Sequence, residues 1–392
     1  MAPARRKSST PEKTRANDGV GASVKRQEPE PNGVVAAAAR DQRPPHQRLG
    51  LSRARLLEMF ETMLLARALD ERQWLLNRQG TQPFHISCQG HEGSGVGSAF
   101  ALDRSRDVMV PYYRSLAAVI AFGMTARDIM LSALARAADP ATGGRQMPAH
   151  YGHAKLRILT SGSPVATQIV HAAGAALASK IRGDGGVSIV YFGDGASSKG
   201  DFHEGLNFAA IHKLPAIFVC ENNHYAISVP TSKQMAVRSV ADRAVGYGMF
   251  GASIDGSDPL AVYACVAEAA AKARAGEGPS LIESNVPRLT PHSSDDDDRR
   301  YRPESDREEA RHHDPISVFH RYLKLHKLLS ADDEAHIRQR VHDEVERALE
   351  EAEAAPMAAP ETAFDHVYAG VRIADFRDRL YGAGNLPRGP YP

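Results

Sequence analysis

Two short polar clusters follow two apolar runs that lie roughly thirty residues apart in the chain. Gly193-Asp194-Gly195 comes after the first run, and Asn222-Asn223 comes after the second. A carboxylate and an amide supply hard oxygen ligands, which Mg²⁺ binds together with phosphate oxygens. The flanking glycines let the backbone turn sharply and let a bulky anion come close to it. Each cluster alone is also typical of an ordinary turn or strand end, but the combination favours a site for a diphosphate and magnesium.

The segments around these clusters predict a β-α-β unit. Residues 187–192 and 215–220 are nearly continuous apolar runs, which is typical of strands buried on both faces of a parallel sheet. Residues 201–213 between them have the length and the apolar stripe of a helix. A third strand is expected at residues 279–284. Since open α/β sheets bind ligands at the carboxyl ends of their strands, both clusters would lie at one edge of the sheet.

The chain as a whole resembles a known family. It is similar to the alpha subunit of the thiamine-diphosphate-dependent, decarboxylating first component of 2-oxo acid dehydrogenase complexes, especially the branched-chain (2-oxoisovalerate) type. Besides the GDG through NN segment, five segments match in order over about residues 51–322: GHEGSGVGSAF from Gly90, PYYR from Pro111, RQMPAHYG from Arg145, SGSPVATQ from Ser161 and PRLTPHSSDDDDRRYR from Pro287. Six ordered matches are far more specific than any single one. The resemblance implies a three-layer α/β/α sandwich with a mostly parallel sheet.

The resemblance also implies a set of residues that bind thiamine diphosphate and Mg²⁺. It assigns the magnesium to the side-chain oxygens of Asp194 and Asn223 and to the main-chain carbonyl of Tyr225. The other residues implied to contact the cofactor are Tyr113, Arg114, Ser163, Val165, Gly193, Gly195, Ala196 and His292. Arg114 corresponds to an arginine that reaches the diphosphate, a role that suits a planar guanidinium. His292 corresponds to the catalytic histidine, where an imidazole can manage protons near neutral pH.

Two further sites are implied by the resemblance. Gly162, Pro164, Thr167 and Gln168 correspond to a family site for a monovalent cation, potassium, although Gly162 stands where the family has a serine. Ser293 corresponds to a serine that is phosphorylated in some members. Asp295 replaces a further serine of the animal pattern, which argues against such regulation here. The four aspartates at residues 295–298 predict a solvated loop.

The activity implied by the resemblance is oxidative decarboxylation of 2-oxo acids, with transfer of the acyl group to the lipoyl arm of an acyltransferase component. The RQMPAHYG, SGSPVATQ and HSSD segments favour branched-chain substrates over pyruvate. In the family, the glutamate that activates the cofactor belongs to a beta subunit. We therefore expect half of a composite site in an assembly of two alpha and two beta chains. The alternatives are a pyruvate or acetoin dehydrogenase alpha subunit, half of a transketolase, and a non-catalytic scaffold protein.

Composition restricts the class of protein without deciding the function. The formal net charge of +1 gives no bulk electrostatic reason to expect nucleic acid or an acidic membrane as a partner. No apolar run approaches the length of a membrane span. The three cysteines show no CxxC spacing, which favours reduced thiols in a cytoplasmic-type compartment. The expected location is the cytoplasm of a bacterial-type cell. The 392 residues are enough for one large domain or two small ones.

The ends of the chain differ from its middle. Residues 1–48 are basic and rich in Pro, Ala and Ser, which predicts a disordered extension. A mitochondrial presequence, and with it the matrix, is the alternative, but the acidic residues in this segment argue against it. Residues 49–325 would form the cofactor-binding domain, and residues 326–392 a helical extension that packs on the domain or on the partner subunit.

Three helical segments are also predicted. Ser52 is a suitable N-cap for a long amphipathic helix. Residues 166–182 have helical character and many small residues, as expected of a helix that lies centrally or at a subunit contact. The GxGxG pattern at residues 93–97 could suggest a dinucleotide loop, but no β-branched strand precedes it. We therefore interpret these glycines as packing positions at the start of a helix.

Overall fold

A parallel five-stranded sheet forms the centre of the protein. The computed structural model describes residues 42–160 and 162–365. The strands are β1 (Val108–Val110), β2 (Ser188–Gly193), β3 (Ala216–Asn222), β4 (Tyr225–Ala226), β5 (Val229–Pro230), β6 (Phe250–Asp255) and β7 (Ser280–Asn285). The order of the large sheet is β1-β2-β3-β7-β6, and every neighbouring pair in it is parallel. β4 and β5 form a separate antiparallel pair.

Helices lie before, between and after these strands. They are α1 (Pro45–Arg48), α2 (Arg53–Arg78), α3 (Glu92–Phe100), α4 (Leu116–Phe122), α5 (Ala126–Ala133), α6 (Thr167–Arg182), α7 (Gly200–Ile211), α8 (Thr231–Gln234), α9 (Ala244–Tyr247), α10 (Pro259–Arg274), α11 (Glu304–His312), α12 (Pro315–Leu325) and α13 (Ala331–Ala354). Ser52 caps α2, where its side chain accepts a hydrogen bond from the backbone N–H of Arg55 at 3.2 Å. Of the helices in the described ranges, none is both long enough and apolar enough to cross a membrane.

The alternation of side chains along the central strands separates two hydrophobic cores. On β2, Ile189 and Tyr191 belong to one core, whereas Val190 and Phe192 belong to the other. The first core also contains apolar residues of α2, α3, α4, α5, α10 and α13, and the second contains those of α6 and α7. Because successive side chains of a strand point to opposite faces, helices cover both sides of the sheet. This arrangement confirms the predicted three-layer α/β/α sandwich.

The predicted β-α-β unit is present, with boundaries that differ by one or two residues. β2 and β3 occupy the two predicted runs, and α7 between them begins at Gly200 and ends at Ile211. The predicted third strand is β7, which lies directly beside β3. The register pairs Gly193 of β2 with Glu221 of β3, so that the polar clusters following these strands lie at one edge of the sheet.

Glycines at the start of α3 pack against neighbouring backbone. A Cβ atom added at Gly93 would lie 2.6 Å from the carbonyl oxygen of Gly256, and one at Gly97 would lie 2.4 Å from that of Pro259. Both distances are shorter than real Cβ contacts, so only glycine allows this approach. The interpretation of residues 93–97 as packing positions is confirmed.

Helix α13 packs on the domain through an apolar face. Its buried residues lie on one face of the helix, where positions three or four apart fall together: Ile337, Val341, Val345, Ala348, Leu349 and Ala352. Ion pairs join it to α2, with Arg340 2.7 Å from Glu61 and Arg53 2.5 Å from Asp333. The predicted disordered extension falls almost entirely in residues 1–41, and residues 366–392 also lie outside the described ranges. The proposed division into domains therefore stays a prediction.

Candidate functional site

One cavity collects most of the predicted site residues at the carboxyl ends of β2 and β3. Its volume is about 540 Å³, within the usual range for small-molecule sites. We call it the site cavity. The predicted residues that line it are Tyr113, Arg114, Gly162, Ser163, Pro164, Val165, Gln168, Gly193, Asp194, Gly195, Ala196, Asn223, Tyr225 and His292. Thr167 and Ser293 are not among its lining residues.

The two predicted magnesium ligands lie at the ends of adjacent strands. Asp194 directly follows β2, is 1% exposed, and accepts a hydrogen bond from the side-chain amide of Gln234 at 2.8 Å. Burial raises the pKa of Asp194, and the bond from Gln234 opposes that rise. Asn223 directly follows β3, and its side-chain oxygen accepts a bond from the backbone N–H of Tyr225 at 3.2 Å. A carboxylate and an amide at the ends of adjacent strands are the kinds of oxygen ligand that Mg²⁺ binds together with phosphate oxygens.

The backbone after Asp194 is suited to an anion. Asp194–Ser198 forms a short 3₁₀ turn, and α7 begins at Gly200. A Cβ atom at Gly195 would lie 2.7 Å from the Cβ atom of Ala226, so this turn packs closely on β4. The unpaired N–H groups at the start of a helix attract negative charge. The main-chain N–H groups of this turn and of the start of α7 are therefore candidates for binding an anion.

Arg114 is a buried cation beside the predicted catalytic histidine. Its side chain is 2% exposed and donates hydrogen bonds to the carbonyl oxygen of Ser87 and, at 3.0 Å, to that of His292. A guanidinium nitrogen also lies 3.0 Å from Nδ1 of His292. None of these partners is a carboxylate. Since a buried charge is costly unless it is paired, an anionic ligand in the cavity would be bound favourably by Arg114.

Burial and two arginines keep His292 neutral. Burial, followed by the positive charges of Arg114 and Arg288, lowers the pKa of His292 to about 4, whereas Asp296 acts in the opposite direction. Because a guanidinium can only donate, Nδ1 of His292 must accept, and the proton of the neutral ring lies on Nε2. The main-chain N–H of His292 donates to Asp296 at 2.7 Å, which fixes the loop beside the ring.

Two aspartates of the acidic run after His292 form contacts within the protein, although the sequence predicts a solvated loop. Asp298 is only 5% exposed and forms an ion pair with Arg302 at 3.0 Å. Asp296 accepts hydrogen bonds from the Tyr301 hydroxyl and the His292 backbone. The expectation of a solvated loop is therefore wrong for Asp298, because a buried arginine compensates its charge. Ser293 is 7% exposed, so a phosphate could be added to it only after this loop had opened.

The residues of the predicted potassium site already have partners within the protein. The Thr167 hydroxyl donates to the carbonyl oxygen of Pro164 at 2.5 Å. The Gln168 side-chain amide donates to the carbonyl oxygen of Tyr191 at 3.2 Å. Gly162 has no side chain to contribute. A cation at this position stays a prediction.

Some polar residues of the site, His150 and Gln234 among them, were not assigned to it from the sequence. His150 lines the site cavity, with Nδ1 2.9 Å from the carbonyl oxygen of Met147 and Nε2 2.9 Å from the hydroxyl of Ser163. It belongs to the matched RQMPAHYG segment, which was the available signal. Gln234 donates a hydrogen bond to Asp194 although the two residues are forty positions apart in the sequence, and no local pattern indicates this contact. The apolar lining residues include Phe84, Ile86, Met147 and Ile227.

The sequence pattern of one family covers most of this chain. The pattern described as "Dehydrogenase E1 component" matches residues 60–361, most of the 392-residue chain. The chain belongs to the dehydrogenase E1 component family.

Individual members of the E1 family are similar over most of their length. The chain is 56% identical over 324 residues to the 2-oxoisovalerate dehydrogenase subunit alpha of Bacillus subtilis, which covers 83% of this chain and 98% of the relative. It is 39% identical over 307 residues to the pyruvate dehydrogenase E1 component subunit alpha of Bacillus cereus, covering 78% and 80%. The corresponding subunit of Staphylococcus epidermidis is 38% identical over 304 residues, covering 77% and 79%.

Proposed function

We propose that this E1-family chain is the alpha subunit of a thiamine-diphosphate-dependent dehydrogenase that oxidatively decarboxylates branched-chain 2-oxo acids. The observation that carries this proposal is that Arg114, Asp194, Asn223 and His292 all line one cavity. The identity of 56% with a 2-oxoisovalerate dehydrogenase alpha subunit, against 38–39% with the pyruvate enzymes, supports the branched-chain substrate.

The residues of the site cavity fit thiamine diphosphate and Mg²⁺. Asp194, Asn223 and the carbonyl of Tyr225 would bind the metal, and the turn at Gly195 and Ala196 would donate main-chain N–H groups to phosphate oxygens. Arg114 would neutralise part of the diphosphate charge. When bound, the cofactor supplies the electron sink that decarboxylation of a 2-oxo acid requires.

His292 would act as a neutral hydrogen-bond donor. Its Nδ1 is occupied by Arg114, which leaves the proton on Nε2. The N–H of a neutral ring can donate a hydrogen bond to an oxygen of the substrate without placing a second positive charge beside Arg114. The apolar residues Phe84, Ile86 and Ile227 along the cavity would exclude water from the reacting atoms.

The site is proposed to be completed by other chains. An E1 alpha subunit functions with a beta subunit, which would supply the group that activates the cofactor, in an assembly of two alpha and two beta chains. The acyl group would pass to the lipoyl arm of an acyltransferase component. Reconstitution with the beta subunit, followed by decarboxylation assays on 3-methyl-2-oxobutanoate and on pyruvate, tests the substrate. A clear preference for pyruvate would contradict the branched-chain assignment.

The magnesium site can be tested separately from the substrate. We expect Asp194→Ala to abolish binding of thiamine diphosphate in the presence of Mg²⁺, measured by calorimetry on the reconstituted enzyme, because it removes a carboxylate ligand. Asp201→Ala is a matched control, since Asp201 lies in the first turn of α7 but does not line the site cavity. Unchanged binding by the Asp194 variant would show that the metal is bound elsewhere.

A further inference from the structure

A buried carboxylate on α2 lies at the centre of a hydrogen-bond cluster outside the site cavity. Asp70 is 0% exposed and is not among the residues that line the cavity. It accepts four hydrogen bonds, all from residues 85–89: the Cys88 N–H at 2.8 Å, the Ser87 hydroxyl at 2.8 Å, the Gln89 amide at 3.0 Å and His85 Nε2 at 3.2 Å. Each carboxylate oxygen accepts two of these bonds, so Asp70 holds the whole segment.

These bonds favour the ionised form of Asp70. Burial acts to raise its pKa, but the hydrogen bonds from His85, Cys88 and Ser87 outweigh burial, and the pKa lies below its usual range. A charged acceptor forms stronger hydrogen bonds than a neutral one.

The other side of residues 85–89 contacts two elements of the site. The carbonyl oxygen of Ser87 accepts a hydrogen bond from the guanidinium of Arg114. The carbonyl oxygen of His85 accepts from the Ser294 N–H at 2.8 Å, and the His85 N–H donates to the Ser294 hydroxyl at 3.3 Å. Ser294 lies two residues after His292. The segment that Asp70 fixes therefore contacts both Arg114 and the loop that carries His292.

We propose that Asp70 is a positioning residue for the site. Its carboxylate fixes residues 85–89, and this segment in turn holds Arg114 and the His292 loop in the site cavity. The inference rests on the proposed function, because the position of Arg114 matters for binding only if the cavity receives a diphosphate.

Asparagine is the sharpest replacement for Asp70. Asp70→Asn keeps the size of the side chain but turns one oxygen, which accepts two hydrogen bonds, into a donor. In one orientation its NH₂ group faces the Cys88 N–H, which can only donate, and in the other it replaces the oxygen that accepts from Ser87 and Gln89. In both orientations the neutral amide is a weaker acceptor than the carboxylate. The substitution therefore loosens residues 85–89 without leaving a cavity.

Asp107 offers a matched control at the opposite end of the sheet. It is also 0% exposed and directly precedes β1. It accepts from the backbone N–H groups of Val187 at 2.9 Å and Asp103 at 2.8 Å, and it pairs with Arg274 at 2.5 Å. Asp107→Asn thus removes a comparable buried acceptor, but none of these three partners belongs to residues 85–89 or lines the site cavity.

Two measurements on the wild type and both variants test the proposal. The first is the dissociation constant for thiamine diphosphate with Mg²⁺, by calorimetry on the reconstituted enzyme. We expect an increase of about tenfold for Asp70→Asn, since residues that orient a binding group commonly change affinity by 10- to 100-fold, and little change for Asp107→Asn. The second is the rate at which trypsin cleaves the full chain at Arg299 and Arg300, whose side chains are 73% and 85% exposed. We expect faster cleavage in Asp70→Asn alone.

If the two variants have the same dissociation constant and the same cleavage rate, Asp70 has only a general structural role and the proposal is overturned. The trypsin measurement does not depend on the cofactor. If the wild-type enzyme fails to bind thiamine diphosphate, the proposed function is wrong, and the cleavage rates still decide whether Asp70 positions the His292 loop.

Discussion

The chemistry of His292 follows from the groups around its ring. Arg114 lies 3.0 Å from Nδ1, and the ring is largely enclosed, so that the charged form of the imidazole is disfavoured. With a pKa of about 4, His292 is neutral at physiological pH. It can donate from Nε2, and it would take up a second proton only with difficulty. This behaviour suits a hydrogen-bond donor to a developing negative charge better than a strong general acid.

The lowered pKa of His292 predicts a pH dependence of stability. Above pH 6.5 the ring is neutral in both the folded and the unfolded chain and contributes nothing. Between pH 6.5 and about 4 the unfolded chain binds a proton that the folded protein does not, so stability falls as the pH falls. At pH 5 the loss should be about 1–2 kcal/mol, allowing for solvent screening of this partly exposed ring.

A double comparison isolates this effect from other titrating groups. The free energy of unfolding would be measured by urea denaturation of the wild type and of His292→Gln at pH 7 and at pH 5. We expect the wild type to lose about 1–2 kcal/mol more than the variant between these pH values. An equal loss would show that the pKa of His292 is not lowered in the folded chain.

The residues proposed to carry chemistry could be identified from the sequence more readily than the residues that contact and orient them. Asp194 and Asn223 stand in short motifs at the ends of apolar runs, where type and spacing together indicate a site. Gln234 and Asp70 are ordinary polar residues in their local sequence. Their roles depend on partners that only the folded chain brings near, and no local pattern distinguishes them from solvated side chains.

At the scale of single elements, the close packing of α3 predicts unequal effects of two glycine substitutions. Gly97→Ala should destabilise the protein by about 1–3 kcal/mol, because the added methyl group would lie against the carbonyl oxygen of Pro259 and overpack the contact with α10. Gly174→Ala on α6 is the control, since no atom lies within 4 Å of its added Cβ. There we expect a gain of about 0.5–1 kcal/mol from helix propensity.

The midpoints of thermal unfolding of the two variants provide the measurement. A Gly97 variant as stable as the wild type would mean that α3 can shift away from α10 at little cost. In the sequence, Gly97 and Gly174 are both small residues within a predicted helix. Only the structure distinguishes the glycine that is needed for packing from the one that is open to solvent.

The strands were predictable where both faces are buried. All residues of β3 are buried, and so are all but the last of β2, which gives the continuous apolar runs seen in the sequence. β6 lies at the edge of the sheet, and its residues are half-buried or exposed, so that FGASID does not form such a run. β1 has only three residues, too few for a periodic signal.

At the scale of the whole molecule, the long helix α13 belongs to the same core as α2. The predicted boundary near residue 325 separates this helix from the cofactor-binding domain. In the structure, Ile337 and Val341 join the core cluster that contains residues of α2 and the sheet. Charge pairs between α2 and α13 add to this contact. We infer that α13 unfolds together with the domain rather than as a separate extension.

Truncation of one α13 side chain tests this inference. Ile337 is 2% exposed, and we expect Ile337→Ala to reduce the free energy of unfolding by about 2–5 kcal/mol through lost burial and a residual cavity. His336→Ala, at the exposed neighbouring position, should change it by less than about 0.5 kcal/mol.

The single tryptophan of the chain, Trp74, lies on α2, so its fluorescence reports unfolding of the domain and not of α13 itself. If α13 were an independent extension, the urea midpoint seen by Trp74 would be the same in Ile337→Ala and in the wild type. A lower midpoint in this variant alone would show that α2 and α13 unfold as one unit.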